Sequence, residues 1–150
     1  MVRYVTVKTG KRGEIMTIQE SGEMYLETLL ILSKESALVR SVDIAKRMGF
    51  SKPSVSRALG LLKKAGYLSV GDDGAVRLTE SGKAKAERVY ERHTVLTEAL
   101  VSLGVGRKAA EEDACKMEHY ISDETFEAMK RHHAEFAGKD AGQAGEKKKR

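Results

Sequence analysis

Ser41-Val42-Asp43-Ile44-Ala45-Lys46-Arg47-Met48-Gly49-Phe50-Ser51-Lys52-Pro53-Ser54-Val55 is the stretch whose reading decides the fold. Ser41 is a good N-cap, Ile44, Ala45 and Met48 form one inner helical face, and Gly49 stops the helix. Ser51 reads as the cap of a second helix. Pro53 is tolerated in its first turn, where an N–H would have no helical partner anyway. Val55, Leu59 and Leu62 supply the core stripe of this second helix, and Gly66 ends it. Two short helices around a tight Gly-containing turn are a helix-turn-helix pattern. Next, Tyr67-Leu68-Ser69-Val70 and Ala75-Val76-Arg77-Leu78 alternate with period two around Gly71-Asp72-Asp73-Gly74, which is turn chemistry. A helix-turn-helix followed at once by such a hairpin predicts a winged helix.

Upstream, a helix is expected from Ser21 or Gly22 to about Ser33, with Met24, Leu29, Ile31 and Leu32 among its apolar positions. Met24 and Glu27 lie three apart on one face of its first turns. Lys34-Glu35-Ser36 reads as a connector. Residues 1–19 read as a loosely attached arm. Tyr4-Val5-Thr6-Val7 alternates like a short strand, and Arg3, Lys8, Lys11 and Arg12 could meet phosphate, although a solvated tail is the plainer expectation. Downstream, Thr79-Glu80 opens a long helix that runs to Leu103 and is ended by Gly104. Its first half is charged (Lys83, Lys85, Glu87, Arg88, Glu91, Arg92), and its second half carries His93, Val95, Leu96, Leu100 and Val101. Another helix is expected from about Arg107 to Ile121. Ser122 then caps a last helix that fades near Phe136, and residues 138–150, rich in Gly, Ala and Lys, are expected to be disordered. The fold class is therefore mainly α: an N-terminal winged helix-turn-helix with a small β-hairpin wing, joined by a long helix to a second α-helical domain.

The 150 residues are 33% charged and 5% aromatic, with one Pro and no Trp, which suits a soluble helical protein. The net charge of +5 points to an anionic partner such as nucleic acid, although Lys147-Lys148-Lys149-Arg150 holds part of that excess. A single cysteine excludes an intrachain disulfide framework and suits a reducing, cytoplasmic setting. No apolar run approaches the roughly 20 residues of a membrane span, and Met1-Val2-Arg3-Tyr4-Val5 lacks the apolar core of a signal peptide. There is no glycine-rich phosphate loop. Cys115 with His119 is the nearest candidate for nucleophilic catalysis, but it has no evident oxyanion partner, so no enzyme is expected.

The N-terminal residues of a recognition helix meet base edges in the major groove. Here these are Ser51, Lys52, Pro53, Ser54, Ser56 and Arg57. Short hydroxyls suit close approach, Pro53 can touch a thymine methyl, and Arg57 can pair bidentately with guanine. Lys52, Lys63 and Lys64 suit phosphate contacts, which position without specifying. The plainer alternative is a helix that only packs, with its serines as caps. Basic charge, a turn and a wing together favour DNA.

Asp113-Ala114-Cys115-Lys116-Met117-Glu118-His119-Tyr120 carries a second signal. On a helix, Cys115, Glu118 and His119 fall at i, i+3 and i+4, so a thiol, a carboxylate and an imidazole share one face. These are metal-ligand types. Taken alone, the triplet also fits a buried small cysteine beside a surface Glu–His pair. His132 and His133 read as solvated residues of the last helix.

From about Ser21 to Phe136 the sequence resembles the diphtheria-toxin-repressor family of metal-dependent transcriptional repressors, which includes the iron-dependent regulators and the manganese transport regulator. The resemblance rests on Glu23-Met24-Tyr25-Leu26-Glu27, Ser41-Val42-Asp43-Ile44-Ala45, Pro53-Ser54-Val55-Ser56, Leu78-Thr79-Glu80-Ser81-Gly82, His93, and Asp113-Ala114-Cys115-Lys116-Met117-Glu118-His119. It implies a homodimer on a palindromic double-stranded DNA operator, with divalent metal controlling DNA binding. It divides the chain into an arm (1–19), a winged-helix DNA-binding domain (20–85), a helical metal-binding and dimerisation domain (86–137) and a tail (138–150), without the SH3-like domain of many iron-type members. Carried over by residue, the main metal site is Met24, Cys115, Glu118 and His119. A second site would take Glu27, His93 and Glu111. Met24 and Cys115 match the iron-type branch, whereas Glu27 matches the manganese regulator. Thr97 stands where the iron-type branch has a carboxylate four positions after His93, with Glu98 beside it, and Glu111 replaces a histidine. A donor set of thioether, sulfur, carboxylate and imidazole is soft for Mn(II) and favours Fe(II), while Zn(II), Co(II) or Ni(II) should bind at least as tightly in vitro. Alternatives are an Mn(II)-responsive regulator, or a winged-helix regulator that answers to a small ligand or to oxidation of Cys115. No membrane and no small organic substrate are expected.

Overall fold

The computed structural model describes the backbone of Val7–Lys8, Ile15–Met16 and residues 18–143, and the side chains of residues 21–137. The expected phosphate contacts of the arm and the state of residues 144–150 lie outside the described residues. The chain forms two compact units, Met1–Val89 and Tyr90–Arg150.

In the first unit, β1 (Val7–Lys8) pairs antiparallel with β2 (Ile15–Met16), and α1 runs Ile18–Glu35. The helix thus begins before Ser21 and ends after Ser33. Ser21 and Gly22 are interior to it, and Gly22 faces α3, where an added Cβ would sit 3.5 Å from Leu62 Cδ2. Ser33 does not break the helix, because its hydroxyl donates back to Leu29 O at 2.7 Å. Glu35, expected in a connector, ends the helix and takes a two-pronged ion pair from Arg47 at 2.9 and 3.1 Å.

The helix-turn-helix follows as α2 (Ser41–Met48) and α3 (Lys52–Lys64). The cap of α2 corrects the sequence reading. Arg40, not Ser41, holds the N-cap position, and its backbone N–H donates to Asp43 Oδ2 at 2.8 Å. An acidic side chain in the first turn thus reaches back to the N-cap's own N–H, the half of a capping box that the N3 residue supplies. Gly49 takes the left-handed conformation at φ +68, and Ser51 caps α3 by accepting the Ser54 N–H at 3.3 Å. The wing is β3 (Leu68–Val70) against β4 (Val76–Leu78), in register Leu68↔Leu78, Ser69↔Arg77 and Val70↔Val76. Its turn is closed by Asp73 Oδ1, which accepts the Ala75 N–H at 3.0 Å.

Leu26 and Leu29 of α1, Ile44 of α2, Val55 and Leu59 of α3, Leu68 and Val76 of the wing, and Ala86 form one buried core. Each large side chain buried there contributes about 1.5–3 kcal/mol; the predicted faces of α2 and α3 lie in this core, whereas on α1 Tyr25, Leu26 and Leu30 join Leu29 there and Met24, Ile31 and Leu32 are only half-buried. The wing leads into α4 (Glu80–Ser102) through a close junction. Thr79 Oγ1 donates to Gly66 O at 2.6 Å and accepts the Gly82 N–H at 3.2 Å, while the Thr79 N–H donates to Tyr67 O at 3.1 Å.

α4 continues into the second unit. Gly104 ends it at φ +96, and α5 (Arg107–Met117) and α6 (Asp123–Gln143) follow. Leu96, Ala99, Ala110, Ala114 and Phe126 are buried here. Two boundaries differ from expectation. α5 stops at Met117 rather than Ile121, with Glu118 as its C-cap. α6 continues to Gln143 rather than fading near Phe136, so the helix enters the stretch expected to be disordered. Ala137, Lys139 and Ala141 are strong helix formers and outweigh Gly138. Ser122 caps α6 as expected, accepting the Thr125 N–H at 3.1 Å.

Candidate metal centre

In the second unit, α4 and the corner between α5 and α6 bring the titratable groups together. Glu118 is 1% exposed. Its Oε2 lies 2.9 Å from His93 Nδ1, and its Oε1 lies 3.3 Å from His119 Nε2. One carboxylate thus faces two imidazoles, one per oxygen. The Glu118 Oε1 atom is buried and accepts no hydrogen bond among the described residues. Leaving a buried carboxylate oxygen unsatisfied costs more than the roughly 1–3 kcal/mol of a neutral group. A cation beside it removes that cost, so the carboxylate, the two imidazoles and the orphaned oxygen fit a divalent ion.

Cys115, one turn before Glu118, is half-buried on α5. The sequence reading puts all three residues on this helix. The helix ends before Glu118 and His119, but the backbone stays helical at Glu118 (φ −57, ψ −27), with its N–H on Ala114 O at 2.9 Å. His93, assigned above to a separate second site, bonds the main-site carboxylate. One residue expected in each set, His119 of the main one and His93 of the second, thus stands at the Glu118 carboxylate. Glu111 is exposed on α5 and adds to the negative field that raises the Arg107 pKa, behind the dominant hydrogen bond and charge of Glu98. Glu98 itself bonds Arg107 at 3.0 Å, which holds its carboxyl below the usual range. Thr97 is 4% exposed, and its hydroxyl makes no hydrogen bond among the described residues.

Arg92 is the residue that sequence reasoning misses, because in sequence it is only one charge among eight on α4. It is 7% exposed. One guanidinium nitrogen donates to Glu118 O at 3.1 Å and Ile121 O at 2.9 Å, the other pairs with Asp123, and the group lies over the Phe126 ring at 5.3 Å. Periodicity does not separate it from its neighbours; its adjacency to His93 is the available signal.

In the first unit, Met24 and Glu27 are half-buried on α1. Ser51, Lys52, Pro53, Ser54, Ser56 and Arg57 are all exposed on or beside the first turns of α3, while Val55 between them is fully buried. Ser51 is committed to capping, and its hydroxyl also donates to Ser54 Oγ at 2.8 Å. Lys52, Pro53, Ser56 and Arg57 form the rest of the outward face.

Comparison with known proteins bears on both units. A family model described as the iron dependent repressor N-terminal DNA binding domain matches residues 17–76. One described as the iron dependent repressor metal binding and dimerisation domain matches residues 79–140. The transcriptional regulator MntR of Escherichia coli is 36% identical over 106 residues, covering 71% of this chain and 68% of that protein. The iron-dependent repressor IdeR of Mycobacterium tuberculosis is 32% identical over 106 residues, covering 70% of this chain and 46% of that protein. A solved manganese-dependent transcriptional repressor in complex with manganese superposes with a TM-score of 0.70 at 26% identity, over 75% of this chain and 52% of that one. The chain therefore spans about half the length of that repressor. Among the described residues, no helix is long and apolar enough to cross a membrane. Both domain models match, in order and over most of the chain, so the chain belongs to the iron-dependent repressor family, which includes the manganese regulators.

Proposed function

We propose that this chain is a metal-activated transcriptional repressor. As a homodimer it binds a palindromic operator when a divalent ion, Fe(II) in our reading, is held by Met24, Cys115, Glu118 and His119, and it controls metal-homeostasis genes. The observation that carries this is the buried Glu118 carboxylate, whose Oε1 accepts no hydrogen bond among the described residues while imidazoles stand at both oxygens. Glu27 and His93, with Glu111, are proposed as further ligands. The bound ion would supply positive charge to this buried donor set. His93 and His119 would orient the carboxylate, and Cys115 would add sulfur or its backbone carbonyl. A ligand shifts a population toward the state it binds better, by its differential affinity for the two states. Moving the chain from mostly inactive to mostly active takes about 5.5 kcal/mol of such preference.

A second reading, Mn(II) as the physiological ion, is supported by Glu27 and by the likeness to a solved manganese-dependent transcriptional repressor at 26% identity. The soft donors Met24 and Cys115 favour Fe(II) over it. Ser56 and Arg57 would read bases, with Lys52, Lys63 and Lys64 on phosphates. A titration of operator-like DNA under anaerobic conditions, with Fe(II), Mn(II), Zn(II) or chelator, tests the reading. Metal should tighten binding at least tenfold. Equal affinity with and without metal refutes it, and affinity that follows Cys115 oxidation alone selects the redox alternative.

A further inference from the structure

We infer that Arg92 is a positioning residue for the metal centre: it fixes the main chain that carries Glu118 and His119 against the same turn of α4 that presents His93. The inference rests on the proposal that Glu118 and His119 hold the ion. A guanidinium is always charged and offers five N–H groups in a rigid planar fork, so it is buried only where acceptors are arranged to meet it. Among the described residues, the acceptors that meet Arg92 belong to one six-residue segment: the Glu118 and Ile121 carbonyls and the Asp123 carboxylate. Phe126, one turn into α6, covers its face. Neighbouring residues on a helix point about 100° apart. Arg92 and His93 therefore grip Glu118 from one turn at two points, the carbonyl oxygen at 3.1 Å and the carboxylate Oε2 at 2.9 Å. With its backbone and side chain both held, Glu118 keeps one rotamer with Oε1 turned toward His119.

Outer groups that orient metal ligands are typically worth 10–100-fold in metal affinity. The test is a spectrophotometric Co(II) titration of the full chain as wild type, Arg92→Met, Arg92→Lys and Leu96→Val. Leu96 is a buried core residue on α4 outside the proposed ligand set, so its variant supplies a loss of stability without a loss of positioning. Arg92→Met should bind Co(II) about 10–100-fold more weakly. Arg92→Lys should fall between it and wild type, because one ammonium cannot span two carbonyls and a carboxylate. Leu96→Val should melt lower yet keep wild-type affinity. Wild-type affinity in Arg92→Met, or an equal loss in Leu96→Val, overturns the inference. If Arg92→Met does not fold, Arg92→Lys decides by the same criterion.

A second arm reads the apo protein by imidazole 15N NMR in chelator. The His93 Nδ1 signal should move in Arg92→Met toward its position in Glu118→Ala, and an unmoved signal overturns the inference. If wild type takes up no Co(II), the metal reading fails on its own, and the apo arm still decides the role of Arg92.

Discussion

Gly82→Ala is expected to weaken the first unit, although it replaces glycine by the best helix former in the first turn of α4. A Cβ built at Gly82 would lie 1.8 Å from the Tyr67 carbonyl oxygen and 2.8 Å from its carbon. Real Cβ contacts essentially never fall under 3.0 Å, so the wing and the start of α4 must part by about 1.2 Å, with rigid backbone on both sides. Overpacking of this kind costs about 1–3 kcal/mol. The Thr79 N–H bond to the same Tyr67 oxygen is stretched in the process, at about 1 kcal/mol. Helix propensity returns about 1 kcal/mol. The net loss is about 2 kcal/mol, or about 8–16 °C in Tm for a unit of this size. Gly60 is the control. It lies inside α3, where an added methyl would meet nothing within 4 Å, so Gly60→Ala should gain up to about 1 kcal/mol. Thermal and urea denaturation followed by circular dichroism give both numbers. A Gly82→Ala protein that melts at or above wild type would refute the reasoning, as would a Gly60→Ala protein that falls equally.

Three further expectations concern the proposed metal centre, the recognition helix and the wing. Glu118→Gln keeps the shape of a buried side chain and removes its charge; it should weaken metal binding by on the order of 100-fold or more while the Tm in chelator stays near wild type, and metal-responsive DNA binding should vanish in a gel-shift titration. Arg57→Ala should cost about 1–3 kcal/mol at one base position and relax specificity there, whereas Lys63→Ala should weaken all sequences alike and reduce the salt slope by about one; a binding-site selection at two salt concentrations separates the two. The Asp73 carboxyl is held below its ordinary value by the Ala75 N–H first, with Arg77 adding to it; because the folded value is depressed, its contribution to the wing is present above the unfolded value near 3.9 and is lost as pH falls through the folded one, so an Ala75 amide titration with a midpoint at or above that unfolded value would contradict the contact.

The helix-turn-helix and wing were legible because each feature rests on local chemistry. Gly49 needed φ > 0, Ser51 needed only Ser54 three residues on, and the spacing of Val55, Leu59 and Leu62 is a helical face by count. Where tertiary contacts compete with local signals, the sequence was less informative. Ser41 looked like a cap, but the Arg40 N–H reaches Asp43 instead. Lys116 and Met117 continue a helical pattern through Glu118, and nothing local marks the stop. The carbonyls that Arg92 takes up there come from residues 26 and 29 positions away in sequence. The same distance hid the meeting of His93 with Glu118. The chain could offer both as ligand types but not as neighbours, because pairing them requires the return of the chain after Gly104.

The grip of Arg92 on the α5–α6 corner falls on main-chain oxygens at Glu118 and Ile121, which every amino acid possesses. In the proposed metal centre, ligand placement and ligand identity would thereby be written in different atoms. A substitution at 115, 118 or 119 would exchange the donor offered to an ion and leave those two carbonyls in place. Under that proposal, the preference among metals would drift by single replacements at these positions without the corner being rebuilt.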